Sequence, residues 1–263
     1  MAIIVVASTK GSPGVSLAVW GLVHCWPRPV VGLEADENGG CWALRHGLTS
    51  EPGLMSLAAD RNPLTNELLS AHATDRGNDR AVVCAPTGGR QVTAALGWLT
   101  ERLTATNLDV DVLIDAGRLR PSGPNGALVR RADGLVWFVR PNPEDIGPTA
   151  DAIVETARLL RPSTAIHTVA VGTGSHSNAE VVDALQQLSG VTNTVRLVAE
   201  LPDDPVAAGQ IKTGARKADR IAWRWFGPLA RELAAAVSYR PITSDSGMFD
   251  SGSNDAAQAG MVV

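Results

Sequence analysis

Short apolar runs alternate with stretches of helical period along most of the chain. Strand-length runs fall at 2–7 (AIIVVA), Pro29–Leu33, Arg80–Cys84, Val110–Asp115, Leu135–Arg140, His167–Gly172 and Val195–Glu200. Several are nearly unbroken in Val, Ile, Leu and Ala, as strands covered on both faces must be. Between them, Leu17–Trp26, Leu54–Ala59, Asn66–His72, Gly89–Ala105, Asn125–Arg131, Asn142–Leu160, Asn178–Leu188 and Ala215–Val237 carry Ala, Leu and Glu at i, i+3, i+4 spacing, the mark of amphipathic helices. Alternation of this kind predicts an α/β fold: a doubly wound, mostly parallel sheet flanked by helices. No internal repeat or linker divides it, so residues 1–240 are expected to form a single domain. From Pro241 to the last residue, 263, the chain is rich in Ser, Asp, Gly and Ala, and reads as a disordered tail.

The junction between the first strand and the first helix is the most informative stretch. Residues 8–22 read STKGSPGVSLAVWGL. A buried strand, a Gly-rich turn and an apolar helix in that order describe a phosphate cradle, because a run of backbone N–H groups at a helix N-terminus attracts an anion without any side chain. Against the pattern G-x-x-x-x-G-K-[ST] the chain offers Thr9, Gly14, Val15 and Ser16. The second glycine and the hydroxyl are kept; the first glycine is Thr9 and the lysine is Val15. Gly11 and Gly14 permit the dihedrals of a tight loop, Ser12 lies between them, Pro13 fixes one φ and removes one donor, and Ser16 is placed to ligate Mg²⁺. Val15 brings no charge to a phosphate, which weakens binding and weakens phosphoryl transfer more. The bland alternative is a tight strand-to-helix turn with no ligand.

Composition narrows the classes. A hydrophobic fraction of 44% and a charged fraction of 19% are those of a soluble globular protein. The net charge of −4 gives no overall pull toward nucleic acid or anionic lipid. The three cysteines, Cys25, Cys41 and Cys84, form no C-x-x-C pair and fit a reducing compartment, so a cytoplasmic location is the default.

With Lys10 in place, KGSPGVS (residues 10–16) resembles the deviant Walker loop K-G-G-x-G-K-[ST] of the MinD/ParA ATPases. In that family the first lysine reaches across a nucleotide-sandwich dimer to the partner's phosphates, and Lys10 matches it. VVGLEADENGG (residues 30–40) is similar to the family's second strand, with Glu34 and Asp36 at the acidic positions, the second of them near the attacking water. VDVLIDAGRL (residues 110–119) is similar to the Walker B and switch II segment, with Asp115 as the carboxylate that holds Mg²⁺ through water. ADGLVWFVRPNPEDI (132–146) and LPDDPVAAGQIKTG (201–214) resemble two later family segments; the second leads Pro202 and Asp203 under the base. GSPGVS, EADENGG, SEPGLMSLA and CAPTGGRQ bring the chain nearest to an actinobacterial MinD-like, chromosome-partitioning-like group. The resemblance implies ATP or ADP with Mg²⁺ as ligands, a homodimer, protein partners in a positioning, secretion or pilus system, and a place in the cytoplasm or peripheral to membrane or nucleoid.

The chain departs from the family at three nucleotide contacts: Thr9, Val15, and Gly172, which falls at the adenine-reading asparagine. The expected function is therefore a positioning or regulatory switch protein with a degenerate ATP site that binds nucleotide weakly or not at all. Two alternatives stand beside it: a nucleotide-independent scaffold, and an active Mg-ATPase in which Lys10, Arg90 or Arg118 supplies the charge, with Lys10, Asp36 and Asp115 catalytic. Other clusters have simpler readings. Ser177 or Asn178 caps a helix rather than closing an anion nest, and Asp203-Asp204-Pro205 caps the next turn. Residues 216–237, which could lie on a membrane or DNA, form a core-facing last helix that Gly227-Pro228 breaks or restarts.

Overall fold

The computed structural model describes residues 1–11, 14–103, 108–161, 164–191 and 195–237. The tail from Pro241, and Ser12 and Pro13 of the loop, lie outside the described residues. Eight strands form one sheet: β1 (Ile3–Ser8), β2 (Val30–Glu34), β3 (Thr74–Asp75), β4 (Arg80–Val83), β5 (Asp111–Arg118), β6 (Gly134–Val139), β7 (Ala165–Val171) and β8 (Val195–Leu201). Their order is β3-β4-β2-β5-β1-β6-β7-β8, parallel throughout except for β3 against β4. The seven strands expected from the apolar runs are all present. β3 was not expected, since two residues carry no periodic signal.

Every residue of β1 is buried, and the pleat divides them between two cores. Ile3, Val5 and Ala7 join one apolar cluster, and Ile4 and Val6 the other, as a period of two demands. On the first face lie α3 (Leu54–Ala59), α4 (Asn66–Ala71), α5 (Gly89–Arg102), α6 (Gly126–Val129), α7 (Pro143–Ala157) and α8 (Asn178–Ser189). On the second lie α1 (Val15–Cys25), α2 (Trp42–His46), α9 (Pro205–Lys212) and α10 (Ala218–Ala236).

Caps set several ends as expected. The Ser177 hydroxyl accepts from Glu180 N while the Glu180 carboxylate accepts from Ser177 N at 2.6 Å, a capping box that starts α8. Asp204 accepts from Val206 N and Ala207 N, both at 3.0 Å, and Pro205 occupies the first turn of α9.

The break anticipated at Gly227-Pro228 does not occur. α10 runs unbroken through Pro228. An interior proline costs about 3 kcal/mol in local propensity, but the stripe of Phe226, Leu229, Ala230 and Leu233 is almost wholly buried against α1 and the sheet, and that packing outweighs it. α1 and α10 can cross this closely because Gly21 presents no side chain; a Cβ there would overlap the Phe226 ring.

Gly21→Ala should therefore destabilise the protein by about 1–3 kcal/mol despite its better helix propensity. Urea denaturation of the single variant and of a Phe226→Leu double variant tests this. The smaller side chain at 226 is expected to reduce the penalty.

Candidate functional site

Parallel pairing brings the ends of β1, β2 and β5 to one level. Val6 and Glu34 both pair with Asp115 from opposite sides, and the first register shift of β1 falls between Val6 and Ser8, where the loop begins. The site therefore lies at the C-terminal edge of the central strands, the usual ligand position in an open α/β sheet.

Gly14 caps α1 in the left-handed region, φ +81°, which a side chain would strain. A Cβ at Gly11 or Gly14 would meet nothing within 4 Å, so the space beside each of these two glycines is open. The Ser8 hydroxyl donates to the Lys10 carbonyl at 2.6 Å and Arg118 Nε to the Thr9 carbonyl at 3.0 Å, bracing the strand-to-loop turn. Val15 is 5% exposed and sits in the apolar cluster beneath the loop, so no charge rises there.

Asp115 is fully buried. Its Oδ1 accepts from Gly117 N at 2.9 Å, and its Oδ2 has no hydrogen-bond partner among the described residues. Burial pushes its carboxyl up to about 7, and the Glu34 and Asp36 carboxylates add to the rise, while the Ser16 hydroxyl and the Gly117 amide pull the other way. A buried carboxylate oxygen without a donor, next to a hydroxyl at a helix N-terminus, fits the water shell of a divalent cation. Asp36 accepts from Asn38 N and Asn38 Nδ2, both at 2.9 Å, and packs against Gly117, where a Cβ would overlap its carboxylate.

Glu34 is a different kind of acid. Its Oε1 accepts from Cys41 N at 2.6 Å and Trp42 N at 2.8 Å, and its Oε2 from Ala85 N at 2.9 Å. At 1% exposure it has no face toward the cleft, and it ties the loop after β2 to the end of β4. Burial raises its pKa, and the three amides offset part of that rise.

Lys10 lies within reach of its own chain. Its Nζ is 3.2 Å from Asp145 Oδ1, in the first turn of α7, and Thr9 Oγ1 is 3.1 Å from Thr149 Oγ1 one turn on. The loop is thus braced against α7 by two side chains.

The cleft has two joined parts. One, about 210 Å³, is lined by Gly11, Gly14, Ser16, Asp36, Arg118 and Lys212 among others. The second, about 220 Å³, is an apolar slot between Phe138, Val171, Leu201, Pro202 and Trp225. Gly14, Leu17 and Lys212 line both. Asp203 is at the rim, paired with Arg140 at 3.1 Å. Gly172, at φ +74° just past the end of β7, donates its N–H to the Leu201 carbonyl at 2.8 Å and is not among the residues that line the slot.

The cleft thus gathers Gly11, Gly14, Val15, Ser16, Asp36, Arg118, Pro202 and Asp203. Lys10 points instead to α7, Asp115 lies beneath the floor, and Arg90 is on α5 outside both lining sets. Sequence reading missed Arg45 and Lys212. The sequence marked Asp203-Asp204-Pro205 as the cap of a turn; that turn opens α9, whose last residue is Lys212.

No family model matches the chain, and no curated protein matches it in sequence. Solved structures do match in shape. The MinD septum site-determining protein of Pyrococcus horikoshii, complexed with Mg-ADP, superposes with a TM-score of 0.67 at 19% identity, covering 91% of this chain and 99% of that one. The fold is that of the MinD/ParA phosphate-loop NTPases. Apo McdA of Cyanothece aligns with a TM-score of 0.66 at 14% identity (90% of this chain, 100% of that one). A ParA family ATPase from Chlorobium tepidum does so with 0.66 at 13% (90% and 98%). Among the described residues no helix is long and apolar enough to cross a membrane, and no cluster of three or more His, Cys, Asp or Glu could hold a metal ion.

Glu34→Ala should cost about 3 kcal/mol or more, because three amides, two of them buried, lose their acceptor at once. Chemical denaturation checks this. If the loss stays below about 1 kcal/mol, Glu34 is not the tie that holds the loop after β2.

Proposed function

We propose that this chain is a MinD/ParA-like positioning or regulatory protein whose nucleotide site keeps its shape and its cation-side acid but has lost the main phosphate charge. The observation that carries this is the contrast at the cleft. Val15 is buried in apolar contact where the family pattern has a lysine, while Asp115 Oδ2 lies unpartnered beside Ser16. Structural neighbours hold nucleotide, Mg-ADP in the Pyrococcus MinD and ATP in a Cyanothece McdA variant.

Transferred to this chain, Gly11, Ser12, Pro13, Gly14 and Ser16 would cradle phosphate, with Ser16 and, through water, Asp115 on Mg²⁺. Mg²⁺ would supply charge to the phosphate oxygens. Asp36 would orient water, and the slot at Pro202 and Asp203 would take the base. Loss of one charge-assisted contact removes about 1.5–3 kcal/mol, a roughly tenfold to hundredfold weaker complex. Lys10 can act across a homodimer only after leaving Asp145, which adds a cost to any switch. The likeness to the actinobacterial MinD-like group, a single domain over residues 1–240 with a separate tail, and protein partners in a positioning, secretion or pilus system belong to the same reading.

Calorimetric titration with ATP and ADP, with and without Mg²⁺, while mass is followed, tests this. Weak binding of both nucleotides with little hydrolysis is the expected result. No heat up to millimolar nucleotide would leave a nucleotide-independent scaffold. Tight ATP binding with dimerisation and turnover would restore the active-ATPase reading and refute a degenerate site.

A further inference from the structure

The cleft lacks the lysine at position 15, yet it is not short of positive charge. Arg45, Arg118 and Lys212 line the phosphate-side cavity. Arg118 is already engaged with the Thr9 carbonyl. Lys212 is half-buried, and none of the ion pairs among the described residues includes it. The acids nearest along the chain make other contacts: Asp219 lies 3.5 Å from His24 Nε2, Asp204 caps the amides of Val206 and Ala207, and Asp203 pairs with Arg140.

A lysine in the last turn of a helix is ordinary in itself, because it complements the helix dipole. Its place here is not. Lys212 lines both the apolar slot and the phosphate-side cavity, so it stands where the two meet. A ligand with a flat ring in the slot and phosphates on the loop must pass its sugar and first phosphate through that seam. Removing part of an ammonium from water with no carboxylate partner leaves it ready to pair with an anion.

We infer that Lys212 supplies phosphate charge that Val15 cannot, and that it does so at the phosphate nearest the sugar. The charge of the cradle then comes from α9, on the base side, instead of from the first turn of α1. This rests on the nucleotide reading above. It identifies the ligand class as nucleoside phosphates, and it makes the first phosphate the one that Lys212 reads.

Adenosine, AMP and ADP are titrated into the full chain and into Lys212→Gln and Lys212→Arg, with chemical shifts as the readout so that millimolar affinities can be measured. Lys212→Gln should weaken AMP and ADP by the same factor, about tenfold, and leave adenosine unchanged; Lys212→Arg should retain most of the affinity. AMP and ADP affinities within twofold of the parent protein in Lys212→Gln would overturn the inference while leaving the nucleotide reading intact. An equal loss for adenosine would also overturn it, by making Lys212 part of the slot's structure. If the parent protein binds none of the three ligands, the nucleotide reading falls and the inference falls with it.

Discussion

Register between three parallel strands governs where chemistry can sit in this chain. Because β5 pairs with β1 on one side and β2 on the other, Asp115 is fixed between Val6 and Glu34, immediately below the loop that leaves β1. A one-residue slip would turn Asp115 to the opposite face. Glu34, next to Asp115 on β2, accepts from the amides of Cys41, Trp42 and Ala85 and so holds the loop that carries Asp36 and leads into α2 against the end of β4. Both apolar clusters alternate along the same strands, so they resist that slip.

On this frame the cleft divides into a retained half and an altered half. The retained half is the Ser16–Asp115–Asp36 group, with a buried carboxylate oxygen left unpaired. The altered half is the loop, where Val15 is packed downward and Lys10 is drawn aside to Asp145. Of the two lysines in the family's loop pattern, the second is replaced by Val15, and the first, which in the family serves the partner's site, is paired here with Asp145. What positive charge remains comes from elements distant in sequence, α2, β5 and α9.

This arrangement explains which parts of the molecule could be read from the sequence. The strands were legible because burial on both faces leaves unbroken apolar runs, and Leu54–Ala59 was legible from its period. The five-residue α2 and the two-residue β3 were too short to give a period, and α9 was marked only by the turn that Asp204-Pro205 caps. The Gly227-Pro228 misreading has a clear cause: local propensity argued for a break, and Phe226, Leu229 and Leu233 packed against α1 prevent it. In the site, Ser16, Asp36 and Asp115 were visible because they belong to contiguous motifs. Lys212 and Arg45 were invisible as site residues, since only the folded sheet brings them to the loop. The pairing of Lys10 with Asp145 links residues 10 and 145, and no local pattern announces it.

The central claim is that the charge absent at position 15 is what most separates this cleft from a full-strength phosphate site. Restoring that charge tests it most directly: ADP affinity is measured for Val15→Lys and the parent protein, with urea denaturation confirming that the variant is folded. The account predicts at least about tenfold tighter binding in the variant. A folded Val15→Lys protein that binds ADP no more tightly than the parent would contradict it.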